Sequence, residues 1–255
     1  GSEREVARLA SLGLPQAGAW LLTAPIAALG LHMRSGEFTV AVKYRLGCPV
    51  YQSAGPCPAC LRPSDRFGDH ALSCSYWGKR ITRHNILRDA IFSTAASAAL
   101  SPVKEGRFLL PGVDQRPADV LLPNWAGGRD AALDVSVINP LQQLTLRGAA
   151  TTPGHALTVA YDRKMSGAAE ACASQGISFI PLAFESLGGI HERAIVEGKK
   201  LAAALARHSG QEEGEACRHL FSRLSILLQK GNAAILLNRI PQYPSGTVDG
   251  NQELD

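Results

Sequence analysis

The segment that most constrains this chain is Cys57-Pro58-Ala59-Cys60 followed by His70 and Cys74, a C-x2-C-x9-H-x3-C spacing. It lies within Cys48 to Cys74, a stretch rich in proline, glycine, serine and cysteine with few apolar residues for a core of its own. Such a stretch keeps one shape only if something staples it. Zinc takes four soft or borderline ligands in a tetrahedron. A C-x-x-C turn presents two thiolates on one side, and an H-x3-C pair, one helical turn apart, presents the other two. Closing such a site contributes on the order of 10–16 kcal/mol in small zinc peptides. Cys57, Cys60, His70 and Cys74 are therefore expected to hold a structural zinc ion. Two other readings compete. One is three buried cysteines with a hydrogen-bonded histidine; the other is a redox pair, for which the preceding strand–helix unit is missing. Cys48 is a spare candidate at a less suitable spacing, and Cys172 and Cys217 fall in predicted helices and read as core.

The remaining composition sets outer limits. With 255 residues, 45% hydrophobic and 19% charged, the chain can form one large domain or two smaller ones, and wholesale disorder is excluded. A net charge of +4 permits an acidic partner such as nucleic acid without demanding one. Three of the six cysteines lie between Cys48 and Cys60, and clustered cysteines in a chain read as intracellular point to metal before disulfides. The longest apolar stretch, Ala19 to Leu31, is interrupted by Pro25 and is too short to span a bilayer, so no membrane partner is expected. No secretory signal is recognisable. Gly1-Ser2 reads as a cloning scar, so the chain is expected to be cut from something larger.

Hydrophobic periodicity orders the rest. Residues 3–47 are expected to be a helical linker region of two or three short helices, with Gly36 to Gly47 ambiguous between helix and strand. Residues 48–77 form the Cys/His segment. A helix is predicted from about Gly78 to Leu100, with Ile81, Leu87 and Ile91 on its apolar side. "RFLLPG" and "ADVLLP" are short apolar runs ended by proline. In Asp130 to Leu141, Leu133, Val135 and Val137 alternate with Asp134 and Ser136, which predicts a strand. A helix over His155 to Gly176, a buried strand over Ile177 to Ser186 and a helix over Gly189 to Gly210 follow. Residues 78–210 thus read as an α/β core with a mixed sheet. Residues 211–240 read as C-terminal helices and 241–255 as a disordered polar tail.

Two sets of residues in this core carry chemistry. Lys79, Arg80, Arg83, His84 and Arg88 follow the Cys/His segment, and Arg80, His84 and Arg88 repeat at i, i+4 and i+8 on one helix face. Phosphate contacts need such a basic strip, although most charge runs are merely solvated. His84 also qualifies as a catalytic base. Asp119 and Asp134 are acids in apolar, strand-like surroundings, fifteen positions apart. Burying a carboxylate unpaired is costly, and a metal ion is one partner; magnesium prefers oxygen ligands. Lys164, on the next predicted helix, has a stem long enough to reach back to the sheet, with Tyr161 one turn before it and Glu105 as an additional carboxylate. The plainer alternative has Asp119 and Asp134 capping turns or pairing with Arg116 and Arg129.

Together these residues resemble a known family. The order is a Cys-Cys-His-Cys knuckle, "RHN" (Arg83 to Asn85), Glu105, "RPAD" (Arg116 to Asp119), "DVSV" (Asp134 to Val137) and a lysine-bearing helix at Lys164. It is similar to the C-terminal region of site-specific non-LTR retrotransposons that carry a restriction-like endonuclease. The similarity runs from about Cys48 to Gly189 and includes "FIPLAFESLGG" (Phe179 to Gly189). The resemblance implies a PD-(D/E)XK fold and DNA cleavage dependent on Mg2+ or Mn2+. Asp119, Asp134 and Lys164 would form the catalytic set, with Glu105 and Tyr161 auxiliary and Asp119, Asp134 and Glu105 as metal ligands. It implies a structural Zn2+ knuckle that helps grip nucleic acid, nuclear action, a reverse transcriptase domain in the parent protein, and element RNA as a further partner. The nick would expose a 3′ hydroxyl that primes reverse transcription. Two departures stand out: the family's "PD" is here Pro117-Ala118-Asp119, and Ser136 occupies the standard lysine position. Ser136 keeps open a second expectation, a catalytically inactive nuclease fold that only binds DNA or RNA. A third is a protein-interaction domain with a solvated basic strip.

Overall fold

The computed structural model describes residues 1–106 and 118–239. In chain order the elements are α1 (Glu3–Leu12), α2 (Ser35–Leu46), β1 (Gly55–Pro56), β2 (Pro63–Ser64), α3 (Asp69–Ser73), α4 (Lys79–Ser97), β3 (Val103–Lys104), β4 (Val120–Ala126), β5 (Arg129–Ile138), α5 (Leu146–Thr151), α6 (His155–Ala173), β6 (Ser178–Glu185), α7 (Glu192–Ser209) and α8 (Glu213–Leu237). Two 3-10 turns, Ala19–Leu22 and Ala27–Leu29, lie between α1 and α2. The ambiguous Gly36 to Gly47 run is helical. Glu37 accepts from the Arg34 backbone amide at 2.9 Å, which caps the helix, and Val40, Ala41 and Tyr44 line its buried side. "RFLLPG", Arg116 and the tail lie outside the described residues.

The main sheet has the order β3-β4-β5-β6. β4 and β5 form a hairpin closed by Gly127-Gly128, with φ of 61° and 76°. A two-residue turn with positive φ at both positions matches the twist of antiparallel strands, and glycine meets that demand without strain. β5 and β6 are parallel, so the chain must cross over between them, and α5 and α6 form that crossover. Packing follows from the pattern of each strand. Val120, Leu122, Leu133, Val135, Leu182 and Phe184 meet Leu87 and Ile91 of α4, Leu201 of α7 and Phe221 and Leu224 of α8. Each such side chain stabilises the fold by roughly 1.5–3 kcal/mol. The other face is covered by α6, where Cys172 packs with Leu121 and Ala132. That cover buries Asp134 and Ser136 on the second face of β5 as well.

A second apolar cluster joins the ends of the chain. Ala7 of α1, Tyr44 of α2, Ala71 and Leu72 of α3, and Ile235 and Leu236 of α8 pack together, so the core crosses the expected boundaries between the linker, the Cys/His segment and the C-terminal helices. Asn139, just after β5, organises the polar groups there. Its Oδ1 accepts from Tyr44 Oη at 3.1 Å and Ser186 Oγ at 3.0 Å; its Nδ2 donates to the Asp69 carbonyl at 2.9 Å and Ser73 Oγ at 3.2 Å. A buried amide with all its groups paired stabilises, whereas one left unpaired costs about 1–3 kcal/mol. Among the described residues no helix is long and apolar enough to cross a membrane.

Candidate metal centre and carboxylate cleft

The ligand atoms of Cys57, Cys60, His70 and Cys74 all lie within 4.8 Å of one another. Cys60 Sγ and His70 Nε2 are 3.2 Å apart. The β1–β2 ribbon brings Cys57 and Cys60 to a tight turn, in which the Cys57 amide donates to the Arg62 carbonyl at 2.8 Å. α3 supplies His70, and Cys74 caps its end. Local signals explain how α3 starts. Both Asp65 carboxylate oxygens face its first amides, accepting from Phe67, Gly68, Asp69 and His70 at 2.7 to 3.0 Å. Gly68 sits at φ 95°, and a Cβ there would stand 2.4 Å from Leu236 Cδ2, so only glycine lets α3 lie against α8. Arg4 of α1 pairs with Asp69, and Arg239 Nη1 donates to the Ala71 carbonyl at 2.7 Å. Burial, then the Arg239 cation, lower the His70 pKa and favour the neutral imidazole that binds metal. Burial raises the Cys57 thiol, but backbone amides of Ala59 and Cys60 outweigh it and the net shift is downward, toward thiolate. This Cys3His cluster could hold a metal ion such as zinc.

The second site lies along β5. The β4/β5 register pairs Val120 with Leu133, and the Asp119 amide donates to the Leu133 carbonyl at 2.9 Å. One step further sets Asp119 beside Asp134. Like charges facing each other across strands are destabilising, and both carboxylates here have partners. Asp119 Oδ1 meets His84 Nε2 at 2.8 Å, and its Oδ2 accepts from the Val135 amide at 2.6 Å. Lys164 Nζ of α6 lies 2.7 Å from Asp134 Oδ2. Burial raises the Asp134 pKa; Lys164 opposes the shift, Asp119 adds to it, and the net shift is upward. Glu105 forms an ion pair with Arg88, which also binds Asp89. Arg80, His84, Arg88, Glu105, Ser136, Arg163 and Lys164 line one open cleft of roughly 540 Å³; Asp119 and Asp134 adjoin it through His84 and Lys164.

The structure thus brings Asp119, Asp134, Lys164, Glu105 and His84 to one place, as it does Cys57, Cys60, His70 and Cys74. Four other residues lie differently from the sequence expectation. Arg83 is not on the exposed strip. At i+3 from Arg80 and i−4 from Leu87 it falls on the buried side of α4, 2% exposed, and donates to Asn232 Oδ1 at 2.7 Å. Arg88 shares the strip with Arg80 and His84 but is turned to Glu105 and Asp89. Tyr161 belongs to a separate cavity, stacked on His191 with ring centres 4.4 Å apart, because the β6–α7 connection brings that histidine against α6. Lys79 opens α4 beside Arg80 but does not line the cleft. Asp134 pairs with Lys164 and not with Arg129.

Sequence reasoning passed over Asp65 and Arg163. Asp65 carries a readable signal, a short carboxylate three residues before a glycine at a helix start. Arg163 sits next to Lys164, and no spacing rule singles it out. Comparison of the chain with family models, with curated proteins and with solved structures finds no match in any of the three.

Proposed function

We propose that this chain is a divalent-metal-dependent DNA endonuclease with a PD-(D/E)XK-type core, from a non-LTR retrotransposon or a host gene derived from one, acting in the nucleus. The observation that carries the reading is the placement of Asp119, just before β4, beside Asp134 on β5, with Lys164 reaching Asp134 from α6. The donor set fits the ion: oxygen ligands from Asp119, Asp134 and Glu105 suit Mg2+ or Mn2+. An ion held there supplies charge neutralisation on the phosphodiester and a more acidic bound water. The chain's own groups do the rest. His84 and the Val135 amide fix the orientation of Asp119, Arg88 fixes Glu105, and Lys164 supports the attacking water through its charge. Water oxygen bonds to phosphorus as the P–O3′ bond breaks, leaving a 3′ hydroxyl and a 5′ phosphate. Within a parent protein bearing a reverse transcriptase, that hydroxyl primes copying of the element's RNA. The Cys3His cluster, with zinc, is structural and helps hold DNA alongside Arg80.

Plasmid nicking with added Mg2+ or Mn2+ tests the proposal. The intact chain nicks and Asp134→Ala does not; equal nicking by the variant refutes it. A second reading, a nuclease fold that only binds nucleic acid, is favoured by Ser136 in the lysine position. Tight, salt-sensitive binding without metal-dependent nicking selects it.

A further inference from the structure

We infer that the cleft contains, besides its carboxylates, a phosphate subsite formed by Arg80, Arg163 and Ser136, which takes a phosphodiester neighbouring the scissile one. Arg80 comes from α4 and Arg163 from α6, and both line the cleft. Burial, then the Arg163 charge, disfavour the charged form of Arg80. Among the described residues neither makes an ion pair with a carboxylate. Arg80 is half-buried and spends one nitrogen, Nη1, on the Ser73 carbonyl at 2.8 Å. Holding two like charges together in partly excluded water costs folding energy unless an anion sits between them.

The lining carries a second, independent sign. Ser136 is 7% exposed, and its buried Oγ has no hydrogen-bond partner. Arg83, beneath the same cleft, has a buried Nε without a partner. Buried polar groups are nearly always satisfied, and each exception calls for a ligand or a water. Guanidinium groups offer donors only, and a hydroxyl can donate. This part of the cleft therefore repels cations and matches phosphate oxygens, which accept charge-assisted hydrogen bonds from arginine. Arg88 makes the contrast: it faces the same cleft but is neutralised by Glu105 and Asp89. The subsite rests on the nuclease reading for the bearer of its phosphate; anion binding at these residues does not depend on hydrolysis.

The test uses the intact chain without added divalent cation. Binding of inorganic phosphate and of a short DNA duplex is measured for the wild type, Arg163→Ala, Arg163→Lys, Ser136→Ala and the exposed α7 control Arg207→Ala. Arg163 is exposed, so its replacement does not threaten folding. Arg163→Ala is expected to weaken DNA binding by roughly tenfold or more, with a salt slope smaller by about one. Arg163→Lys recovers part of the loss, and inorganic phosphate competes with DNA for the wild type but not for Arg163→Ala. Ser136→Ala weakens phosphate binding without lowering Tm. The subsite is overturned if Arg163→Ala binds DNA like Arg207→Ala. Phosphate binding that depends on Arg163 while DNA binding does not overturns the phosphodiester assignment and leaves a free-anion site. Nicking with Arg163-independent binding removes the subsite alone; Arg163-dependent binding without nicking supports the subsite and removes the nuclease.

Discussion

The Cys/His cluster and the carboxylate cleft both gather charged ligands, and they do so by opposite means. Four ligands of the cluster come from eighteen consecutive positions, Cys57 to Cys74, on a ribbon and a single short helix. The groups of the cleft come from α4, β3–β4, β5 and α6, spread from Arg80 to Lys164. The cluster has little apolar mass of its own, and an ion such as zinc would tie its four ligands together. The cleft is held by the sheet and by α4 and α6, which pack on its two faces through core side chains. One site is local and could be closed by a metal ion; the other is assembled by the fold.

That difference predicts how each breaks. Removing metal by a strong chelator, or Cys57→Ser with Cys60→Ser, releases several kcal/mol of binding energy. Tm should fall by roughly 10 °C or more, read by calorimetry beside metal analysis giving about one zinc per chain. A chain whose Tm ignores the chelator would erase the contrast. Asp134→Asn should do the reverse. Nicking falls by roughly 1,000-fold, a loss of about 4 kcal/mol in transition-state stabilisation, while Tm stays within a few degrees or rises, because a desolvated carboxylate has been removed.

Glu185, at the end of β6, sharpens the comparison because neither site serves it. It is 0% exposed, neither oxygen makes a well-formed hydrogen bond, and burial pushes its pKa up to about 7, opposed only by Ser11. A carboxyl whose folded pKa exceeds its unfolded value stabilises the fold while protonated. Its contribution is intact below about pH 4.5 and is lost as pH climbs toward 7. The span corresponds to about 3 kcal/mol. Urea unfolding of Glu185→Gln should show that slope flattened; an unchanged slope would place the titration elsewhere. The smallest effect concerns Asp65. Asp65→Ala should cost about 1 kcal/mol, as loss of a helix cap does, and should weaken metal binding at the cluster without changing nicking at saturating zinc.

The same division governs what the sequence discloses. The cluster was legible because its ligands and its turn residues are local, and the helices α4, α6, α7 and α8 were legible because each keeps one periodicity along its length. The order of strands and helices in the core was likewise readable. Arg83 was misplaced because a charged side chain at i−4 from Leu87 looks the same on paper whether it meets water or Asn232. The adjacency of Asp119 and Asp134 rests on a hairpin register set by Gly127-Gly128 and a bulge between Leu122 and Ala126, and no composition rule reports a register. Tyr161 was drawn toward Lys164 by helical spacing, while its actual partner, His191, arrives from another element.

Asn139 gives these regions a common frame. Its side-chain amide clamps the helix that bears His70 to the end of the strand that bears Asp134, five positions and roughly 17 Å away along the strand. A rigid offset of that kind behaves as a ruler. On the proposed nuclease reading, a duplex touching both ends is measured before it is cut, and the distance from foothold to break follows the length of a strand, whatever the sequence of the bases.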